Sequence, residues 1–127
     1  MDVLSGRVIL RPANLEGSLH FYGETLGLHV YREYGTGPHR GVVFFIGGGY
    51  LEVTGSAPAM EGDKVSLWLQ VPSVEEVHGS LHNAGVAIVN PPERKPWGLL
   101  EMWIRDPDGV SIVIVEVPED HPLRRRP

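Results

Sequence analysis

Cysteine is absent from this sequence, which removes disulfide frameworks, thiolate nucleophiles and cysteine-based zinc or iron–sulfur sites together. No apolar run approaches the roughly 20 residues that span a bilayer. Residues Met1 to Arg7 lack the basic-then-apolar layout of a signal peptide, so a cytoplasmic protein without a membrane partner is expected. Positive charge is scarce: 11 basic residues against 16 acidic leave a formal net charge of −5. Phosphate binding needs a concentrated basic face, so nucleic acid is not an expected partner either. The one basic run, Arg124-Arg125-Arg126, follows the last expected strand and reads as a solvated tail. What remains is a 127-residue chain, 42% hydrophobic, which suits one globular domain with one core.

The hydrophobic period divides that domain into two halves of the same plan. In the first half Val8, Leu10 and Pro12 alternate with Arg7, Ile9 and Arg11 as a strand, and Asn14 caps a helix running to Leu26, where Gly27 ends it. Strands follow over Leu28 to Tyr34, Gly41 to Ile46 and Tyr50 to Thr54, the last two joined by a hairpin at Gly47-Gly48-Gly49. Because those glycines join two strands and open no helix, they do not read as a phosphate cradle.

After the loop Gly55 to Asp63 the pattern restarts with a strand over Val65 to Val71. Ser73-Val74-Glu75-Glu76 is a capping box, and its helix presents Val74, Val77, Leu81 and Ala84. A short strand Val86 to Val89, a loop around Pro91 to Gly98, a strand Leu99 to Arg105, the turn Asp106-Pro107-Asp108-Gly109 and a strand Val110 to Val117 complete it. The expected fold is α+β: two βαβββ repeats, at about 6–54 and 64–117 with a tail 118–127, forming a curved mixed-sheet cup with helices on the outer face.

Neighbouring strand residues point to opposite faces, and the helix-covered face must be apolar. The leftover set is Arg7, Ile9 and Arg11; Tyr50, Glu52 and Thr54; Ser66, Trp68 and Gln70; Glu101, Trp103 and Arg105; and Ser111, Val113 and Val115. Aromatic planes among a few charges suit a pocket for a sizeable, partly aromatic ligand. A dimer interface enriches the same residue types.

The segments Asn14 to Tyr22 with Leu26-Gly27-Leu28, Tyr50-Leu51-Glu52-Val53, Ala84-Gly85-Val86 and Arg105-Asp106-Pro107-Asp108-Gly109, in this order and spacing, resemble the vicinal oxygen chelate superfamily. That superfamily includes glyoxalase I, extradiol dioxygenases, fosfomycin-resistance enzymes and bleomycin-resistance proteins. The resemblance implies its fold nearly end to end. It places the positions that hold a divalent metal in the family's enzymes on Arg7, Glu52, Ser66 and Val113, of which only Glu52 is a metal-ligating type. No metal and no other cofactor is therefore expected. Arg7 instead sets a fixed positive charge there, paired with Glu52 or with a ligand oxygen. Pro96-Trp97-Gly98 is similar to the antibiotic-binding branch, whose members sequester bleomycin or mitomycin, and this likeness implies a homodimer with Trp97 as a stacking surface.

The function expected on these grounds is non-catalytic sequestration of a hydrophobic, partly aromatic small molecule, an antibiotic or other natural product. Arg7, Tyr50, Glu52, Ser66, Trp68, Trp97, Glu101, Trp103 and Val113 are the expected ligand-binding set, with no catalytic residue assigned. The alternatives are an enzyme of the glyoxalase, dioxygenase or isomerase type working through Glu52 or Glu101, and an interaction protein whose cup is filled by another chain. His78 and His82, four residues apart on the second helix, read as solvent-facing, and His20 and His29 lack an evident partner. His39, in the loop Gly35 to Arg40, is the general base to consider if there is one.

Overall fold

Asn14 and Ser73 both lie in extended backbone, and each uses its side chain to close the start of a helix. Asn14 Oδ1 accepts the Gly17 N–H at 3.0 Å, and Ser73 Oγ accepts the Glu76 N–H at 3.2 Å. Each bond satisfies one of the amide donors that a helix start leaves without a partner. The helices they open are α1 (Leu15–His20) and α2 (Val74–Asn83). The computed structural model describes residues 2–55 and 65–122. All but Gly55 of the loop Gly55 to Asp63, and the Arg124–Arg126 run, lie outside the described residues.

The described chain divides into two compact units, residues 2–55 with 107–109 and residues 65–106 with 110–122. The first unit holds β1 (Val8–Leu10), β2 (Val30–Tyr34), β3 (Gly41–Ile46) and β4 (Gly49–Thr54) in one sheet of order β1-β4-β3-β2. β1 runs parallel to β4, and the remaining pairs are antiparallel. Two residues, Gly47 and Gly48, join β3 to β4, and Gly47 takes φ +63, the left-handed conformation that a tight hairpin requires. The second unit repeats the plan: β5 (Ser66–Gln70), β6 (Ile88–Arg94), β7 (Leu100–Arg105) and β8 (Ser111–Glu116) in the order β5-β8-β7-β6, with β5 parallel to β8. In both units the expected βαβββ order is present.

The apolar strand residues pack under the helices. Leu10, Val42, Phe44, Leu51 and Val53 are buried with Leu19, Phe21 and Tyr22 in the first unit. Leu67, Met102, Ile104, Ile112 and Ile114 are buried with Val74 and Leu81 in the second. Each such side chain contributes about 1.5–3 kcal/mol through removal from water.

Four details differ from the sequence expectation. The first helix reaches Leu26, but its last turn, Phe21–Thr25, is a π-helix in which the Leu26 N–H bonds the Phe21 carbonyl at 2.8 Å. That wider turn lets the adjacent Phe21 and Tyr22 both be buried, their rings edge-to-face at 5.2 Å. Ala84 is exposed, because α2 stops there and turns away at Gly85 (φ +79). The sixth strand starts at Ile88 and runs through Pro91 and Pro92 to Arg94. It is an edge strand with two irregularities in its pairing to β7, so the missing proline N–H groups cost little. Finally, Ser111, Val113 and Val115 are buried although they point away from the helix: β8 lies between β5 and β7, and Val113 and Val115 pack with Leu99, Val117 and Trp103.

Candidate ligand-binding site

The register of the first sheet sets Ile9 beside Glu52 and Glu52 beside Val43, which pairs with Arg32, all on the face away from α1. Glu52 is the centre of this face. Its side chain is 14% exposed, Arg7 Nη1 donates to Oε1 at 2.7 Å, and the Tyr34 hydroxyl donates to Oε2 at 2.9 Å. Burial alone would raise the Glu52 pKa, but the hydrogen bonds from Arg7 and Tyr34 and the charges of Arg7 and Arg11 outweigh it. They hold the carboxyl below its ordinary value.

The sign of the pH dependence follows. Glu52 contributes stability that is complete above the unfolded carboxylate pKa of about 4.3 and is lost as pH falls through the lower folded value. Glu52→Gln is expected to cost about 1 kcal/mol at neutral pH, since the Arg7 side chain is 35% exposed and partly screened. In denaturant titrations across the acid range that difference shrinks only below about pH 4; a difference that stays constant to pH 2 would contradict the assignment.

Tyr34 reaches Glu52 because the residue opposite it is glycine. Gly41 pairs with Tyr34 on one side and Thr54 on the other, and a Cβ there would overlap the Tyr34 ring and stand 2.8 Å from Thr54 Oγ1. Gly41→Ala should therefore displace the phenol, break its bond to Glu52 and cost about 2 kcal/mol. In a double-mutant cycle with Tyr34→Ala the two losses should fall short of additivity by about 1 kcal/mol. Full additivity would show that the glycine serves something other than the ring.

Toward the hairpin end, Tyr31, Phe45 and Tyr50 form a triangle of rings with centroids 4.9–5.7 Å apart. Tyr31 is 51% exposed and Phe45 40%, and the Arg7 guanidinium lies 5.9 Å from the Tyr50 ring centre. Arg7, Tyr50 and Glu52 are thus one constellation, as the strand pattern suggested. Tyr31, Tyr34 and Phe45 belong to it too, and the sequence reading left them out. The irregularity between Val30 and Arg32 resets which side of β2 faces which, so plain alternation does not sort that strand. The signal that was available is cross-strand: Phe45 sits opposite Tyr50 once the Gly47-Gly48 hairpin sets the register.

In the second unit, Trp68, Val113, Trp103 and Asn90 form one row across β5, β8, β7 and β6. Ser66, Ser111 and Arg105 form the next row along the same face. Val113 is 4% exposed and joins Leu99, Val115 and Val117 in an apolar cluster against which Trp103 packs. Trp68 is 49% exposed. A hollow of about 260 Å³ is lined by Ser66, Asn90, Trp103, Arg105 and Ser111, with Val89 and Ile104. Glu101 is only 7% exposed, and its Oε2 accepts the Trp97 indole N–H at 2.7 Å, so this carboxylate is engaged within the chain. Trp97 occupies the turn Lys95 to Gly98, which the Gly98 N–H closes by bonding the Lys95 carbonyl at 2.8 Å. The Trp97 carbonyl lies 3.0 Å from His121 Nε2, and the ring is 57% exposed.

The remaining histidines lie apart from these features. His78 and His82 have ring centroids 6.3 Å apart on α2, and His20, His29 and His39 are exposed. No helix among the described residues is long and apolar enough to cross a membrane.

Two βαβββ repeats, each a four-stranded mixed sheet with one capped helix and a second face of rings and charges, define a paired-repeat α+β class. The chain belongs to the Glyoxalase/Bleomycin resistance protein/Dioxygenase superfamily, whose family model matches residues 5–114. No curated protein sequence matches it. Among solved structures it is similar to a superfamily member from Sphaerobacter thermophilus, with 26% identity and a TM-score of 0.69 over 91% of this chain and 98% of that one. It is also similar to TnmS3, an antibiotic binding protein from Streptomyces sp. CB03234, with 22% identity and a TM-score of 0.75 over 92% and 98%. TioX from Micromonospora sp. ML1 shares 20% identity at a TM-score of 0.71 over 89% and 95%.

In neither unit do the positions that the resemblance matches to metal ligands, Arg7 and Glu52 in the first and Ser66 and Val113 in the second, fit a divalent cation. Both Glu52 oxygens already accept hydrogen bonds, Arg7 places a positive charge against one of them, and Val113 is a buried hydrocarbon. Among the described residues, no group of three or more His, Asp or Glu is arranged to hold an ion.

Proposed function

We propose that the chain binds and sequesters a hydrophobic, partly aromatic small molecule, an antibiotic or other natural product, without transforming it. The observation that carries this reading is the partly exposed ring triangle of Tyr31, Phe45 and Tyr50 beside the Arg7–Glu52–Tyr34 hydrogen bonds. Rings left partly open to water gain by covering with another flat apolar surface, and the adjacent charges orient a polar substituent. Trp68 and Trp103 offer stacking surface in the second unit on either side of Val113, with Ser66 one row along the same face, and Trp97 offers another in the turn before β7. The fold shared with TnmS3, described as an antibiotic binding protein, supports the same choice. Glu52 held ionised by two donors is a weak base at neutral pH, which disfavours acid–base catalysis through it. The reading takes residues 1–127 as a single ligand-binding domain, acting in the cytoplasm as a homodimer.

The test is saturable quenching of tryptophan fluorescence by a panel of aromatic natural products that includes bleomycin and mitomycin. Mass spectrometry of small molecules that co-purify with untagged protein accompanies it. Binding with the ligand recovered unchanged is expected. A stoichiometric, tightly held divalent metal together with ligand turnover would overturn sequestration in favour of an enzyme. The absence of any response across the panel, together with no small molecule co-purifying, would favour an interaction protein. Sedimentation at micromolar concentration is expected to give twice the mass of the 14.0 kDa chain.

A further inference from the structure

The hollow on the second face of the second sheet has two chemically distinct ends. At one end stands Trp103, whose ring packs against the cluster of Leu99, Val113, Val115 and Val117 and also lines the hollow. At the other end the register aligns Ser66 with Ser111 and Ser111 with Arg105, so two hydroxyls and a guanidinium come from three neighbouring strands. Arg105 Nη1 donates to Ser111 Oγ at 3.1 Å, which fixes the direction of that row. Asn90 lines the side. The pairing of β6 with β7 shifts between Ile88 and Asn90, and such an irregularity turns Val89 and Asn90 toward the same space. At about 260 Å³ the hollow is below the roughly 300–1,000 Å³ usual for a drug-sized ligand. One ring fits, and a large natural product does not.

We propose that this hollow is a subsite for a single aromatic ring bearing a carbonyl or carboxyl oxygen, an aryl ketone or aryl carboxylate group of the ligand. The ring lies against Trp103, and the oxygen accepts from the row of Ser66, Ser111 and Arg105. The aromatic row and the donor row are two residues apart along the strands, about 6.6 Å. An oxygen carried one carbon outside a ring, plus a hydrogen bond of about 2.8 Å, covers a separation of that order. A bare hydrocarbon ring offers this row no acceptor, whereas an oxygen carried by the ring adds a charge-assisted bond from Arg105, which sets the preference. This inference rests on the small-molecule reading above, but it concerns which part of the ligand enters this hollow.

The experiment uses the full chain labelled with ¹⁵N, whose three indole N–H signals report separately on Trp68, Trp97 and Trp103. Acetophenone, benzoate and toluene are titrated in parallel. Acetophenone or benzoate is expected to move the Trp103 signal and to bind at least about fivefold tighter than toluene. In Ser66→Ala/Arg105→Gln, both surface positions, the preference should fall to about one. Toluene binding as tightly as the oxygenated rings would overturn the proposal, and so would movement confined to Trp68 or Trp97 or no movement at all. Each of those outcomes leaves the quenching panel free to support the sequestration reading, so the two fail separately.

Discussion

Val113→Glu is expected to lower the unfolding free energy by about 3–5 kcal/mol and to create no metal site. The substitution places a carboxylate at a position that the resemblance matches to a metal ligand of the superfamily's enzymes. In this chain that position is 4% exposed, packs with Leu99, Val115 and Val117, and lies between Trp68 and Trp103 on the neighbouring strands. A carboxyl in such surroundings has its folded pKa raised, so the penalty is complete above that raised value. It disappears as pH falls toward the unfolded value of about 4.3. Denaturant titrations at several pH values should therefore show Val113→Glu approaching the parent protein in acid. Val113→Ala should lose a smaller amount, about 1–2 kcal/mol, with no such pH trend. A Val113→Glu protein as stable as its parent, or one stabilised by added zinc or nickel, would mean that the apolar cluster yields and a metal site lies dormant beneath it.

Trp103→Ala is expected to weaken binding of an aromatic ligand by about tenfold or more, given stacking worth roughly 1–3 kcal/mol. It should also cost about 2 kcal/mol of stability, because Trp103 is half-buried against the apolar cluster and truncating a fully buried tryptophan costs about 3–5 kcal/mol. The two losses separate with Trp103→Phe, which keeps a ring. Affinity should return most of the way while the stability deficit persists in part. Measured by fluorescence from the remaining tryptophans, an undiminished affinity in folded Trp103→Ala would move the ligand away from the second sheet. Attention would then pass to the Tyr31–Phe45–Tyr50 triangle of the first.

The repeat was legible because it rests on local rules. Asn14 and Ser73 announce helices by the donors their side chains satisfy, Gly47 allows the tight hairpin, and alternation in β4 and β7 separates Leu51 and Val53 from Glu52, and Met102 and Ile104 from Trp103. Where those rules failed, a non-local cause was at work. Pro91 and Pro92 read as a loop, yet an edge strand tolerates them. Tyr31 and Phe45 drew no notice because an irregular pairing and a cross-strand register, both absent from a linear pattern, bring them to Tyr50.

Local pattern alone was enough for two βαβββ halves, their capped helices and a second face of rings and charges, and the family resemblance implied matched positions short of metal-ligating types. Partner choice belonged to tertiary structure alone. It chose Glu52 over a ligand oxygen for Arg7, added Tyr34 with Gly41 making the room, gave Glu101 to the Trp97 indole, and buried Val113 with its apolar neighbours. The physical reason is range: caps, turns and alternation act over a few residues. A hydrogen bond between residues 45 apart, as from Arg7 to Glu52, exists only once strands distant in sequence have taken their register.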